Sequence, residues 1–431
     1  MRLLLIAYEF PPSPSPQSLR WTYLARELDA LGHEVHVLAP DLGGETPGLP
    51  GLPPGIVVHR TFAGPFRGLM AMRRRQRQRR AGAGQNGGQR APGAPAVALR
   101  PPRNWKQRIS ETVQKTLEAV IFPDLRGEWK PWAKPALRAL LDGLRPDLVI
   151  SSHEPATTLE LGLLAHARGI RWAVDIADPV LAGYTPRRWR RRASRLERET
   201  CERADLVVVT NDAAAALLRE RHGAPDRCLV LTQGFDLRPA TIAAEGVFDE
   251  SRLELFYSGS LYRFRRIDQL LSALAANPRA RLNIAAITVP EHILDFAAKS
   301  PQQVRLLGFL PHDAILAMQR RAHVLVNIAN DDSSQVPGKV FEYLGAGRPI
   351  LHLGAGDDPI ATLLREHRRG WVCRNDAEAL SAQLASLVRA QATGELERGL
   401  ELGADAVAAY SWQAGARRLD EALRKLPIAG H

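Results

Sequence analysis

The sequence predicts an α/β protein of two Rossmann-like, doubly wound domains that face each other across a cleft, with a basic insertion in the first. Three observations carry that prediction. Short apolar runs alternate with stretches of helical periodicity along most of the chain, the pattern of βαβ units and parallel sheets. The runs are apolar throughout, as strands covered on both faces must be. The alternation begins afresh at Leu255, and 431 residues suffice for two or three domains that each bury a core.

Arg2–Ala7 is the first strand, and the proline-rich Tyr8–Pro16 that follows cannot be helical. The apolar start resembles the opening of a signal peptide. Glu9 and Pro11-Pro12 cut it short and no small-residue cleavage site follows, so it is expected to stay as a strand. Helical spacing runs from Gln17 to Leu31 through Leu24 and Leu28, Gly32 closes it, and Glu34–Ala39 is the second strand. Gly43–Gly55 is turn-rich and Ile56–Arg60 a short strand. Leu69–Arg80 reads as an amphipathic or simply basic helix, and Ala81–Pro95, rich in Gly, Ala and Pro, as disordered. Helical spacing returns over Trp105–Phe122. Leu137–Leu144 is helical and Pro146–Ser151 a strand, with Ser152–Pro155 at its C-terminal end, where open α/β sheets place ligands. Helix Thr158–Arg168, strand Trp172–Ile176 and loop Ala177–Pro179 repeat the pattern. Basic helix Arg187–Ala204, strand Asp205–Thr210, helix Ala213–His222 and strand Leu229–Thr232 end the first series.

The second series has strands at Leu255–Ser258, Leu282–Ile287, Val304–Leu307 and Val324–Ile328, with helices at Ile267–Ala275 and His312–Arg321. Trp371–Cys373 and the helix Ala377–Leu387 complete it. After the apolar run His323–Ala329 comes the polar loop Asn330–Ser334, then Pro337, which suits a first helical turn. The helix stops at Gly345-Ala346-Gly347, and Ile350–Leu353 is apolar again. Strand, loop and helix start make an arrangement whose backbone N–H groups can hold an anion. Lys339 and Glu342 are three residues apart and share a face with Gly338. The cation suits phosphates and the carboxylate suits sugar hydroxyls. A crossover helix with one surface ion pair has the same spacing, and spacing alone favours that plainer reading.

Pro337–Leu351, Pro-Gly-Lys-x-Phe-Glu-Tyr-Leu-x-Ala-Gly-Arg-Pro-Ile-Leu, resembles the donor-site segment of retaining, nucleotide-sugar-dependent glycosyltransferases of the GT-B fold, family 4. The resemblance implies that the helix start at Gly338, Lys339 and Val340 contacts the donor diphosphate and that Glu342 binds the nucleotide ribose. Ser334 stands where many members carry a second Glu and is taken as a donor contact. Gly259-Ser260-Leu-Tyr-x-x-Arg265 is a second match, whose Arg265 reaches the donor phosphates in the family. Looser matches are Phe10-Pro-Pro with Gly32-His-Glu-Val, and Gln233-Gly-Phe-Asp236 at the end of the first domain. Asp175-Ile-Ala-Asp178-Pro179 keeps two family Asp residues and lacks the family's Arg and Trp. Tyr410–Leu423 resembles the final helix that packs back on the first domain.

The implied domains are an acceptor-side domain at 1–233, with the insertion at about 64–107, a donor domain at 234–405, and the closing helix at 406–431. The implied function is transfer of a sugar from a nucleotide diphosphate to an acceptor hydroxyl, in cell-surface polysaccharide or glycolipid assembly. Negative charge grows on the β-phosphate as the donor breaks, and Arg265, Lys339 and the helix start would stabilise it. No cofactor is then expected and no metal required; Asp331-Asp332 reads as loop solvation and capping. Retention is expected by same-face attack, without a covalent enzyme intermediate. Asp178 and His153 are the acid/base candidates, although an Asp before Pro is also an ordinary turn residue and a loop His often bonds backbone. Arg20 either faces the cleft or is a solvated helix residue. The alternatives are a GT-B sugar-nucleotide epimerase and a non-catalytic GT-B-like binding protein.

The formal net charge is +12, and Arg60–Ser110 holds thirteen Arg or Lys and no Asp or Glu. That segment lacks interleaved aromatics within Arg73–Arg80 and any nucleic-acid motif, so no specific nucleic acid is expected. Residues 67–108 instead suit an anionic membrane surface beside a saccharide or lipid-linked acceptor. No run reaches the ~18 residues that cross a bilayer, and three separated cysteines fit a reducing cytoplasm. The expected location is cytoplasmic, peripheral on the inner face of the plasma membrane.

Overall fold

The apolar runs become the strands of two parallel sheets. The computed structural model describes residues 1–44, 48–83, 120–223, 227–238, 248–261, 267–330 and 336–427. They divide into two units: one runs to Thr232 and takes in the residues from Gly415 onward, the other is Gln233–Ala414.

The first unit holds strands β1 (Arg2–Ala7), β2 (Glu34–Asp41), β3 (Val57–Phe62), β4 (Leu148–His153), β5 (Arg171–Ile176), β6 (Leu206–Val209) and β7 (Cys228–Val230). Their order is β3-β2-β1-β4-β5-β6-β7, with every pair parallel. Leu3 pairs with Val35 on one side and Leu148 on the other, so the winding reverses at β1. Loops after β1 and β4 therefore flank a switch point, where such sheets bind ligands. The helices are α1 (Pro16–Ala30), α2 (Pro65–Ala83), α3 (Lys130–Leu144), α4 (Thr157–His166), α5 (Arg190–Arg203) and α6 (Asp212–His222). Ser15 caps α1 by accepting from Ser18 N at 3.1 Å, and Pro16 occupies its first turn. The core gathers Leu4, Ile6, Val149, Trp172 and Val174 from the strands with Trp129, Leu137, Leu159 and Leu196 from the helical layers.

The second unit repeats the plan. Its strands are β8 (Leu253–Ser258), β9 (Ala280–Ala285), β10 (Val304–Leu306), β11 (Val324–Ile328), β12 (Ile350–Leu353) and β13 (Gly370–Cys373), in the order β10-β9-β8-β11-β12-β13, all parallel. Its switch point lies between β8 and β11. Helices α7 (Asp268–Ala275), α8 (Glu291–Lys299), α9 (His312–Arg321), α10 (Lys339–Ala346), α11 (Pro359–Glu366) and α12 (Ala377–Ala392) cover the sheet. Helix α13 (Trp412–Arg424) passes into the first unit at Gly415. There Asp420 Oδ1 lies 2.7 Å from His33 Nε2, and Arg418 donates to Val230 O at 2.8 Å.

Several elements differ from expectation. Helix α3 starts at Lys130 rather than Leu137, running through Pro131 and Pro135. Pro131 falls in the first turn, where no N–H is needed. Burial of Ala133, Leu137 and Leu141 along one face outweighs the interruption at Pro135. Helices α8 and α11 were not expected. The latter is capped by Asp358, which accepts from Ile360 N at 2.9 Å and Ala361 N at 3.0 Å. In the insertion, Ala81–Ala83 continue α2 rather than open a disordered stretch. The rest of that stretch, and Trp105–Phe122 up to residue 119, lie outside the described residues.

Candidate active site

In the second unit the site grows from the C-terminal end of β8. Gly259 takes φ +109, a conformation that favours glycine, and its N–H donates to Ala285 O at 2.9 Å. The turn is held by Tyr257, whose hydroxyl donates to Ser260 O at 2.9 Å. Lys339, the first residue of α10, reaches the same place. Its Nζ donates to Ser258 O at 3.3 Å and lies 3.4 Å from the centre of the Tyr257 ring, a cation over an electron-rich face. Tyr343, one turn further on, sets its hydroxyl 3.4 Å from both Ser258 N and Oγ. Burial pushes the Tyr343 phenol well above its ordinary pKa, so it stays protonated.

Gly338 precedes α10, and a Cβ there would lie 2.9 Å from Gln233 Cγ. The Val340 side chain is buried and its N–H donates to Pro337 O at 3.1 Å, while Phe341 N–H donates to Gly338 O at 3.2 Å. The first turn therefore already uses those two donors within the chain. Glu342 is half-buried; Gln319 Nε2 donates to its carboxylate at 3.3 Å and His312 Nε2 lies 4.0 Å away. Gln319 itself is fully buried on α9. Arg265 and Ser334 lie outside the described residues.

In the first unit His153 ends β4 and is 4% exposed. Its ring hydrogen-bonds the Asp178 main chain, and its Nδ1 is buried with no partner among the described residues. Burial lowers its pKa, keeping the imidazole neutral. Asp178 is half-buried in the loop after β5, so the two candidates do meet, through the aspartate's backbone. Beside them Glu154 accepts from Arg126 at 2.9 Å and from the Tyr184 hydroxyl at 3.2 Å. Burial acts to raise the Glu154 pKa, but the charge and hydrogen bond of Arg126 hold it below the ordinary value, so Glu154 is ionised. Arg126 also pairs with Asp124 at 2.7 Å and Glu9 at 3.4 Å.

Arg20 answers to neither expected role. It is fully buried, donating from Nε and Nη2 to the two Asp175 oxygens at 2.9 and 3.0 Å, and to Thr232 O and Leu231 O. Asp175 also accepts from Trp21 at 2.8 Å and Gln17 at 3.0 Å. This pair ties α1 to β5 and to the end of the first unit, which is a structural task. Sequence reasoning passed over Tyr257, Gln319, Arg126 and Glu154. Tyr257 was hidden in an apolar run, Gln319 in an ordinary helix, and Arg126 had no local pattern at all. Glu154 alone stood in a loop already marked as a ligand position.

Two doubly wound parallel units with polar groups gathered at strand C-termini are the GT-B architecture. Solved structures share it along their whole length. Sucrose-phosphate synthase from Thermosynechococcus elongatus matches with a TM-score of 0.67 at 16% identity, over 99% of both chains. Anabaena HepE, solved in complex with UDP, matches at 0.59 and 13%, over 99% of this chain and 100% of its own. A Listeria monocytogenes protein described as a UDP-N-acetylglucosamine 2-epimerase matches at 0.53 and 12%, over 98% and 95%. No curated protein matches by sequence. The glycosyl transferase 4-like domain model matches residues 17–234, half of the chain. The chain belongs to that family and is a glycosyltransferase.

Proposed function

We propose that the protein is a retaining glycosyltransferase that moves a sugar from a nucleotide diphosphate to an acceptor hydroxyl, in the assembly of cell-surface polysaccharide or glycolipid. The observation that carries this reading is the meeting of Lys339 with the Gly259–Ser260 turn at the β8/β11 switch point, with Glu342 one turn further along α10. In this reading the diphosphate lies against that turn. Lys339 and Arg265 stabilise the charge that develops on the departing β-phosphate, and the start of α10 adds its dipole. Glu342, oriented by Gln319, accepts from the ribose hydroxyls. The cations take the part a metal would play, so the reading needs neither metal nor cofactor. On the first unit, neutral His153 is suited to accept a proton, and Asp178 holds its ring through the main chain.

The reading also places the protein on an anionic membrane face through α2. Leu69 and Met72 are 48% and 55% exposed on that helix, beside the exposed Arg73, Arg74 and Arg75. Among the described residues no helix is long and apolar enough to cross a membrane.

A thermal-shift and hydrolysis screen over UDP-, GDP-, ADP- and dTDP-sugars tests the donor. Stabilisation and slow hydrolysis with one nucleotide class are expected. No response to any donor would sink the reading. Conversion of UDP-N-acetylglucosamine alone into its 2-epimer would favour the epimerase, and tight binding without transfer the non-catalytic protein.

A further inference from the structure

The loop after β1, the turn after β2 and the first turns of α2 enclose a cavity of about 410 Å³ within the first unit. Its α2 wall is a single helix face, because Arg67, Met70 and Arg74 are spaced by three and four residues. Gly43 lets that wall come close: a Cβ there would lie 2.6 Å from Ala71 O, and φ is +58. Tyr8 and Glu9 also line the cavity.

The polar groups of this cavity are out of balance. Tyr8 is 2% exposed, and its hydroxyl has no hydrogen-bond partner among the described residues. Arg67 Nε is buried and unpartnered in the same sense. Arg74 makes one long bond, 3.4 Å to Leu42 O. The negative charge of Glu9 is meanwhile engaged by Ser13 Oγ and by Arg126 at 3.4 Å. The Tyr8 hydroxyl and Arg67 Nε are thus buried donors without an acceptor among the described residues, and buried donors require one. The exposed Arg74 stands on the same helix face, and the Glu9 carboxylate that shares the lining is already engaged.

We propose that this cavity binds the acceptor by a phosphate group, received by Arg67, Arg74 and the Tyr8 hydroxyl. Donors from two elements suit the several oxygens of a phosphate, and arginine forks match its geometry. The proposal rests on the glycosyltransferase reading and names the chemistry of its acceptor. The phosphate belongs either to a soluble sugar phosphate or to a lipid-linked sugar.

Calorimetry on the full chain tests it, with glucose 1-phosphate, glucose and a micellar short-chain polyprenyl phosphate as probes and UDP as a separate titrant. Glucose 1-phosphate should bind and glucose should not. Arg67→Gln and Arg74→Gln should each weaken that binding about tenfold, as loss of a charge-assisted hydrogen bond does, and Tyr8→Phe several-fold. UDP affinity should stay the same in all three. Competition by the polyprenyl phosphate would assign a lipid source, and its absence a soluble one, both within the proposal. Arg74 is exposed, so Arg74→Gln remains informative if Arg67→Gln fails to fold. Equal binding of glucose and glucose 1-phosphate, or full affinity in Arg74→Gln, overturns the proposal. So does loss of glucose 1-phosphate binding in Lys339→Ala, which would assign the phosphate to the donor side. Failure of UDP and every other nucleotide to bind would instead count against the glycosyltransferase reading.

Discussion

Lys339 lies over the face of the Tyr257 ring. A cation over such a face gains about 0.5–2 kcal/mol, which helps to hold the ammonium at the turn after β8. Lys339→Ala should lower turnover by roughly 10²-fold, the loss seen when a charge-stabilising group is removed; Arg265→Ala should do the same. Steady-state kinetics on the purified variants check both, and wild-type turnover would discard the assignment. Glu342→Gln should cost ~1.5–3 kcal/mol of nucleotide affinity in calorimetry with the melting transition unchanged. A lower melting point at unchanged affinity would make Glu342 a structural residue. Arg20 and Asp175 belong to stability. Asp175→Ala leaves the Arg20 charge buried and unpaired, a loss of about 3–5 kcal/mol in a denaturant titration.

Among the elements, α2 has two tasks on different faces. Arg67, Met70 and Arg74 line the cavity, while Leu69, Met72 and Arg73 point elsewhere and are exposed. Each basic residue near an anionic surface contributes about 1 kcal/mol, and shallow insertion of Leu69 and Met72 would add to it. Co-sedimentation with vesicles should therefore require anionic lipid and fall with salt. Replacing Arg73, Arg75, Arg77, Arg79 and Arg80 by Gln, with Arg74 kept, should abolish it. Equal sedimentation with neutral vesicles, or none with either kind, would remove the membrane role and leave the donor and cavity assignments standing.

At the scale of the whole molecule, pH acts through buried histidines. Burial lowers the pKa of His153 in the folded protein below its ordinary value of 6.5, and does the same for His33 and His59. Below that pH the unfolded chain binds protons that the folded chain refuses. Stability is then fully present above 6.5 and declines as pH falls toward the folded values. Melting temperatures across this range should show the decline, and His153→Gln should flatten it. A slope unchanged in that variant would mean that His153 takes up its proton without loss of the fold.

The sequence by itself determined the two α/β series, most strand positions, and the Gly259–Ser260 and Pro337–Leu351 segments as candidate sites. The series and strands depend on spacing along the chain, on punctuation by Gly and Pro, and on runs apolar enough for a covered strand. The two segments stood out by their resemblance to the family, since spacing alone favoured a plain crossover helix. What surrounds the candidates was decided by tertiary structure. Gln319 is 23 residues from the Glu342 it orients, and Arg126 is 117 from Glu9; no local pattern links either pair. Arg20 reads as an exposed helix position until β5 brings Asp175 beneath it. The start of α3 was hidden because two prolines outweigh helical spacing in a local reading, whereas burial of one face outweighs them in the fold. Arg67 and Arg74 were legible only as part of a basic run. Closure of α2 over Tyr8 and Gly43 gives them a shared cavity, because contacts between distant segments form only when the sheet sets their order.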